Sequence, residues 1–176
     1  MKKVFFGLIG LMIAFNAVAE DRKFSSPDGR IEVTVSDSDG TPDYSVTYDG
    51  NVFILPSPLG LNTSMGEYMS GMTMLPEKEA PRLIEEQYSL KTIKQSQVDY
   101  KAVEAVFTFA KDERPVYDVI FRVSDRDVAF RYRLYPRRNT LSCVIFSEAT
   151  GFRLPQTATA FLRPQVKPGG GFAGTY

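Results

Sequence analysis

The sequence predicts an all-β protein built as an antiparallel β-sandwich, and three observations support this prediction. Apolar and polar residues alternate, residue by residue, in several short segments. Clusters of Gly, Pro, Asp and Ser separate these segments at regular intervals. Helical periodicity is weak throughout the body of the chain. Its strongest candidate is Ala80–Gln87, where Pro81 limits the length of any helix.

The first strands are predicted to form a hairpin. Ile31–Val35 and Tyr44–Tyr48 both alternate between apolar and polar residues, and the turn-rich segment Ser38–Asp43 connects them. A second turn, Asp49–Asn51, then precedes the short apolar run Val52–Leu55. The alternation implies one buried and one exposed face for each of the two hairpin strands.

Residues 56–82 are rich in Pro and Gly and have no periodicity, which predicts a long loop with at most short strands. Four methionines lie within it: Met65, Met69, Met72 and Met74. Thioethers can bind copper(I), but such sites usually include His or Cys as well, and this chain has no His. We therefore expect these side chains to be adaptable apolar packing.

Strands are predicted again in the second half of the chain. They are Tyr88–Lys94, Ala102–Phe109, Tyr117–Val123, Val128–Leu134, Cys143–Phe146 and Gly151–Leu154. The third and fourth of these flank the turn Ser124–Asp127, which predicts a tight hairpin with an aromatic inner face and a charged outer face. The outer face has two interpretations. Its charged residues form either a solvated ladder of ion pairs or a buried Arg–carboxylate brace at a domain interface. The residues concerned are Arg122, Arg131, Arg133, Asp118, Asp125 and Asp127.

The N-terminus has the pattern of a secretory signal peptide. Met1–Lys3 is basic, Val4–Phe15 is apolar, and Ala17–Ala19 provides small residues for cleavage after Ala19. The segment is too short to remain as a membrane span, and no Cys follows it to carry a lipid anchor. This predicts a signal peptide over residues 1–19, a mature domain over 20–176, and a periplasmic or secreted location. In that setting the single thiol, Cys143, is expected to be buried in a strand.

Composition excludes several function classes. The 21 basic residues equal the 21 acidic ones, which argues against nucleic acid or an anionic membrane as the partner. With no His, neither Ser nor Cys has the usual catalytic base. With one Cys, neither an internal disulfide nor a multi-thiolate metal site is possible.

Three local motifs resemble functional sites, but each lacks a feature that the site requires. Glu85 and Glu86 are adjacent, so on a strand they point to opposite faces and cannot act as a glycosidic pair. Asp37–Gly40 begins like a calcium loop but lacks the later ligands of an EF-hand. Gly169–Gly171 has no phosphate-binding context. We therefore assign no catalytic, cofactor-binding or metal residue.

Five stretches, in the same order along the chain, resemble the opening of glycoside hydrolase family 97. They are Ser26–Val33 (SPDGRIEV), Tyr44–Gly50 (YSVTYDG), Ser57–Leu61 (SPLGL), Ile120–Val123 with Asp127–Tyr132 (IFRV, DVAFRY), and Ser147–Phe152 (SEATGF). The resemblance extends from about Ser26 to Gly174 and covers most of the mature chain.

The resemblance implies the first part of an N-terminal β-super-sandwich from an exported α-glucosidase or α-galactosidase. In that family a downstream (β/α)8 barrel carries the catalytic residues, and calcium is held mostly by barrel glutamates. The oligosaccharide substrate and the calcium then belong to the larger parent enzyme, and this chain alone is not an enzyme. Because the loop-like sequence from Pro164 ends at Tyr176, we expect the sandwich to be incomplete. The alternative function is a free-standing periplasmic sandwich that binds carbohydrate or another protein.

Overall fold

The computed structural model describes residues 21–91, 96–137 and 142–159. Its strands are β1 (Arg22–Ser25), β2 (Ile31–Ser36), β3 (Asp43–Tyr48), β4 (Asn51–Pro58), β5 (Leu61–Thr63), β6 (Gly66–Tyr68), β7 (Thr73–Met74), β8 (Arg82–Ser89), β9 (Gln97–Lys111), β10 (Arg114–Ser124), β11 (Val128–Leu134) and β12 (Ile145–Glu148). A 3-10 turn lies at Ser38–Gly40. The predicted signal peptide, Gly169–Gly171 and the C-terminal loop fall outside the described residues.

The strands form three antiparallel sheets. The first sheet has the order β1-β2-β3-β4. The second sheet has the order β11-β10-β9. On the other edge of β9, β8 pairs with residues 97–104 and β7 pairs with residues 109–110. The third, small sheet has the order β12-β5-β6. The three described ranges contain no candidate for a membrane-spanning helix.

The core lies between the first and second sheets. Because side chains alternate across a strand, each sheet presents one apolar face, and these two faces pack together. Aromatic rings connect them directly: Phe24 lies 5.6 Å from Phe107, and Tyr44 lies 5.9 Å from Phe121, measured between ring centroids. The structure therefore confirms the predicted all-β antiparallel sandwich.

Both predicted hairpins are confirmed. β2 and β3 pair from Ile31 with Tyr48 to Ser36 with Asp43. In the second hairpin β10 pairs with β11, so that Phe121 lies opposite Phe130 with ring centroids 5.1 Å apart. The inner face of β10 is apolar as expected, and the strand is buried on its outer face as well. The reason is position: β10 lies between β9 and β11, so neighbouring side chains cover both faces.

Most of the Pro- and Gly-rich region contains only short strands, β5 to β7, as predicted, but β4 extends into it as far as Pro58 and β8 begins at its last residue, Arg82. Met72 and Met74 are buried in the core, whereas Met65 and Met69 are half-buried. Gly60 is needed here for a specific reason. It has φ of 145°, and a Cβ at this position would lie 2.7 Å from the carbonyl oxygen of Tyr68.

The strand boundaries differ from the prediction around β8. The segment with the best helical pattern, Ala80–Gln87, forms most of β8, and the strand predicted from Tyr88 starts earlier and ends at Ser89. Eight backbone pairs with β9, from Arg82 opposite Glu104 to Ser89 opposite Gln97, override a weak local preference for helix. The remainder of the predicted Tyr88–Lys94 strand includes residues that the structure does not describe.

The environment predicted for Cys143 is wrong. Cys143 is only half-buried and lies before β12. The side chains of β12 are exposed, and no other part of the described chain covers that strand. The predicted strand Gly151–Leu154 is reduced to one bridge between Arg153 and Leu55. β1 was not predicted, since four residues with one buried side chain, Phe24, are too short for a recognisable period.

Replacing Phe121 with Ala tests the aromatic core. The ring contacts Phe24, Tyr44, Phe107 and Phe130, so its removal leaves a cavity between the sheets. We expect Phe121→Ala to lower the free energy of unfolding by about 3–5 kcal/mol in a urea titration. Tyr88→Ala, which truncates an exposed aromatic side chain on β8, is the control and should cost less than about 1 kcal/mol. Equal effects of the two variants would contradict this description of the core.

Candidate functional site

The outer face of the second sheet contains two buried carboxylates held by arginines. Glu104, on β9, is 6% exposed and receives hydrogen bonds from two guanidinium groups. Arg82 donates to its Oε1 at 2.6 and 3.1 Å, and Arg122 donates to its Oε2 at 2.8 Å. Arg122 also reaches Glu86 on β8 at 3.2 Å. These contacts join β8, β9 and β10 across the sheet.

The second carboxylate is Asp118 on β10, which is fully buried. Arg133 donates two hydrogen bonds to its Oδ2, at 2.5 and 2.8 Å. The hydroxyls of Thr108 and Tyr135 donate to its Oδ1 at 2.7 and 3.0 Å. Every oxygen of this buried charge is therefore satisfied, as a buried ion requires.

The observed pairing matches neither interpretation of the charged hairpin face completely, because the carboxylates are buried but all the pairs lie within one sheet. Glu104 and Asp118 are buried, whereas the side chains of their arginine partners are 36–64% exposed. We call this network the brace: Glu104 and Asp118 with Arg82, Arg122 and Arg133. Among the predicted acids only Asp118 takes part; Asp125 and Asp127 lie in the turn between β10 and β11. Glu104 was missed by sequence reasoning. The sequence does contain an indication of its role, since Glu104 is the only acidic residue within the apolar strand segment Ala102–Phe109.

The brace sets the ionisation of Glu104. Burial alone would raise the pKa of its carboxyl group, because a charge is poorly solvated in the sheet. Hydrogen bonds and charge attraction from Arg122 and Arg82 outweigh that effect and hold the pKa below its ordinary value of 4.5. Glu104 is therefore an ionised acceptor at neutral pH, a state suited to a structural brace.

The other predicted motifs carry no site in the described ranges. Glu85 pairs with Lys101 at 2.9 Å, whereas Glu86 pairs with Arg122, which places the two carboxylates on opposite faces as predicted. Asp37 accepts a hydrogen bond from the backbone of Met74 at 2.7 Å. Within residues 21–91, 96–137 and 142–159, His, Cys, Asp and Glu side chains do not gather in threes as a metal ion would need.

A different surface has the character of an interface. Residues 144–153 run antiparallel along residues 55–64, from Ser64 N–H bonded to the Val144 carbonyl to Leu55 N–H bonded to the Arg153 carbonyl, both at 2.8 Å. This segment lies at the margin of the sandwich, and its large apolar side chains face solvent. We call these side chains the apolar edge: Leu55, Val144, Ile145, Phe146, Phe152 and Leu154.

Hydrogen bonds of two tyrosine hydroxyls connect the apolar edge to the sandwich. Buried Tyr44 donates its hydroxyl to the Gly151 carbonyl at 3.1 Å, and burial raises the pKa of that hydroxyl to about 12. The Tyr132 hydroxyl lies 2.7 Å from Thr150 and accepts from the Gly60 N–H at 2.9 Å. Both tyrosines belong to the sandwich, so the edge is a rigid continuation of it.

The exposure of the apolar edge is unusual. Phe146 and Phe152 are each 65% exposed, and the four other large apolar side chains of the apolar edge are 38–59% exposed. A cluster of this kind on a rigid surface typically marks a contact with another domain or protein. Neither the local sequence pattern nor composition distinguishes these residues from core residues. Only the position of the segment at the margin of the sandwich does so.

Replacing Glu104 with Gln tests the brace and its charge. We expect Glu104→Gln to lower the free energy of unfolding by about 1–3 kcal/mol at pH 7, because charge-assisted hydrogen bonds are lost. The pKa of Glu104 is lower in the folded state, so its contribution is complete above 4.5 and disappears as pH falls through the folded-state pKa. The difference from the parent chain should therefore shrink in acid.

The matched control for this prediction is Glu85→Gln, which removes one charge from the exposed pair with Lys101. It should change the free energy of unfolding by less than about 1 kcal/mol at any pH. A constant deficit of Glu104→Gln from pH 7 to pH 3 would contradict the charged brace.

Comparison with known proteins supports the resemblance found in the sequence. A family described as "Glycosyl-hydrolase 97 N-terminal" matches residues 24–176. A probable retaining alpha-galactosidase of Streptomyces bingchenggensis (strain BCW-1) is 31% identical over 138 residues, which cover 78% of this chain and 20% of that protein.

Solved structures agree. A beta-arabinopyranosidase is 34% identical with a TM-score of 0.72, over 77% of this chain and 22% of that one. A glycoside hydrolase family 97 enzyme from Pseudoalteromonas sp. strain K8, in complex with acarbose, is 26% identical with a TM-score of 0.68, over 77% and 20% of the two chains. The chain thus spans about a fifth of the length of these relatives. It belongs to the glycoside hydrolase family 97 N-terminal domain family.

Proposed function

We propose that this β-sandwich is the N-terminal portion of an exported α-glycosidase and supports its catalytic barrel. In this role the domain holds the barrel in place and helps to form the wall of its sugar pocket. The single observation that carries the proposal is the apolar edge, a rigid apolar surface that the described chain leaves uncovered. Membership in the family and the share of its relatives' length that the chain covers support the same role.

The chemistry of hydrolysis, in this proposal, belongs to the barrel. In the described residues, the adjacent carboxylates Glu85 and Glu86 are bound to cations on opposite faces. The buried acids Glu104 and Asp118 are fully engaged in the brace. Glycosidases need two carboxyl groups that flank one glycosidic bond, and these four residues do not provide such a pair.

Calcium and the sugar substrate are proposed for the complete enzyme. The side chains of the described ranges do not supply a grouped set of carboxylates that fits a calcium ion, so we assign no ligand here. The family 97 enzyme from Pseudoalteromonas sp. strain K8 is described in complex with acarbose and, as a variant, with panose, which supports an oligosaccharide as substrate of the complete enzyme. Export is proposed from the signal-peptide pattern of residues 1–19.

The proposal is tested first by activity. The gene is sequenced past the codon for Tyr176, and both its full product and the 176-residue chain are purified. We expect the full product to hydrolyse the p-nitrophenyl α-glycoside of glucose or of galactose. The 176-residue chain should hydrolyse neither of them. Turnover by the short chain, or none by the full product, would contradict the proposal.

The location of the interface is tested by Phe146→Asp in both forms of the protein. In the 176-residue chain Phe146 is exposed, so the substitution should change the melting temperature little. In the full product the same substitution would bury a charge against the barrel, and we expect a fall of at least several degrees.

Leu83→Asp, on β8, is the matched control because Leu83 is also an exposed apolar residue outside the apolar edge. It should have a small effect in both forms. A large effect of Leu83→Asp together with a small effect of Phe146→Asp in the full product would place the interface on β8 and refute the assignment.

A further inference from the structure

A cleft of about 700 Å³ opens where the turns that follow β1 and β10 meet β3 and β4. One wall comes from the first sheet and contains Tyr48 and Phe53. The other wall comes from the turns that follow β1 and β10 and contains Asp28, Asp125 and Asp127. Its volume is within the range of natural small-molecule sites.

Phe53, which lines this cleft, lies at a β-bulge of β4. Val46 pairs with Ile54 and Thr47 pairs with Val52, so Phe53 is an extra residue between two pairs of the ladder. Such a bulge redirects a side chain that would otherwise follow the alternation of the strand. The ring of Phe53 is 59% exposed and lines the cleft beside Ile54. An exposed apolar ring at a bulge has no role in the core.

The second ring, Tyr48, is held in position. The guanidinium of Arg30 lies 4.6 Å from the centroid of the Tyr48 ring, and the same group donates two hydrogen bonds to Asp49 at 2.7 and 2.9 Å. Tyr48 nevertheless remains 40% exposed. The cleft thus has one aromatic wall, which contains the exposed ring of Phe53 and a Tyr48 ring held by Arg30.

The opposite wall presents hydrogen-bond acceptors. The backbone N–H of Asp28 donates to Asp125 Oδ1 at 2.9 Å, which ties together two turns 97 residues apart in sequence. Asp28 Oδ1 accepts from the Ser26 hydroxyl at 2.6 Å and from the Arg30 N–H at 3.0 Å. Those hydrogen bonds keep the pKa of Asp28 below its ordinary value, so it is an ionised acceptor. In the described chain the second oxygens of Asp28 and Asp125, and both oxygens of Asp127, have no hydrogen-bond partner.

We propose that this cleft binds a neutral saccharide, whose ring packs on Phe53 while its hydroxyls donate to the aspartates. Sugars have an apolar ring face and many hydroxyl donors, which complements an aromatic wall opposite a carboxylate wall. Two guanidinium groups also line the cleft: Arg30, which is bound to Asp49, and Arg126. The aspartates do not form a metal-binding group, which separates the site from a cation site. This binding role is additional to the support of a catalytic barrel and does not depend on it.

The test is binding of maltose and of melibiose to the 176-residue chain, followed by NMR titration. We expect saturable binding in which resonances of Phe53 and of the Asp125–Asp127 turn shift. Phe53→Ala should weaken binding about 3–10-fold, the loss expected for one aromatic contact. Asp127→Ala should weaken it by a similar factor. Both side chains are exposed, so unchanged circular dichroism and melting temperature are expected.

Phe146→Ala is the matched control, because it truncates another exposed Phe outside the cleft and should leave affinity unchanged. Three results would overturn the proposal: no saturable binding of either sugar, equal weakening by Phe146→Ala and Phe53→Ala, or a response of the Asp127 resonance to Ca²⁺ alone and not to sugar. None of these results bears on hydrolysis by the full product, so failure here is distinguishable from failure of the proposed function.

Discussion

The structure depends on one contact, the packing of aromatic rings between the first and second sheets. Phe121 is at its centre, with Phe24 and Tyr44 from the first sheet on one side and Phe107 and Phe130 from its own sheet around it. Large rings remove much apolar area from water and also interlock, so they determine both the distance and the angle between the sheets. A sandwich without this contact would be two separate sheets, each with an exposed apolar face.

The same aromatic group also positions the surface that we assign to docking. Tyr44 and Phe130 contact the exposed Phe152 at 6.4 and 6.3 Å between ring centroids. The apolar edge is therefore continuous with the core and lies on the scaffold that the core holds in place. Because this surface is fixed to the core, it can hold a bound domain in a defined orientation.

The brace on the outer face has a different physical role. Burying Glu104 and Asp118 costs solvation energy, and the surrounding arginines, Tyr135 and Thr108 compensate for it. The net gain in stability from such pairs is modest. Their value is specificity, because a shift of β8 or β11 by one residue along the sheet would leave a buried charge without its partner.

Local sequence patterns were sufficient to predict the class of fold, the two principal hairpins and the family. All three depend on local information: alternation with a period of two, turn residues between strands, and short motifs in order. The sequence also predicted that Glu85 and Glu86 diverge, because neighbours on a strand always do.

Tertiary structure alone decided which apolar residues are core and which are surface. Phe121 and Phe146 are both aromatic residues of predicted strands, yet one lies at the centre of the sandwich and the other at its margin. Pairing across the sheet likewise made Glu104 the partner of Arg82 and Arg122, and Phe53 lies at a bulge and lines the cleft. These outcomes depend on contacts between residues distant in sequence, and a local pattern does not contain that information.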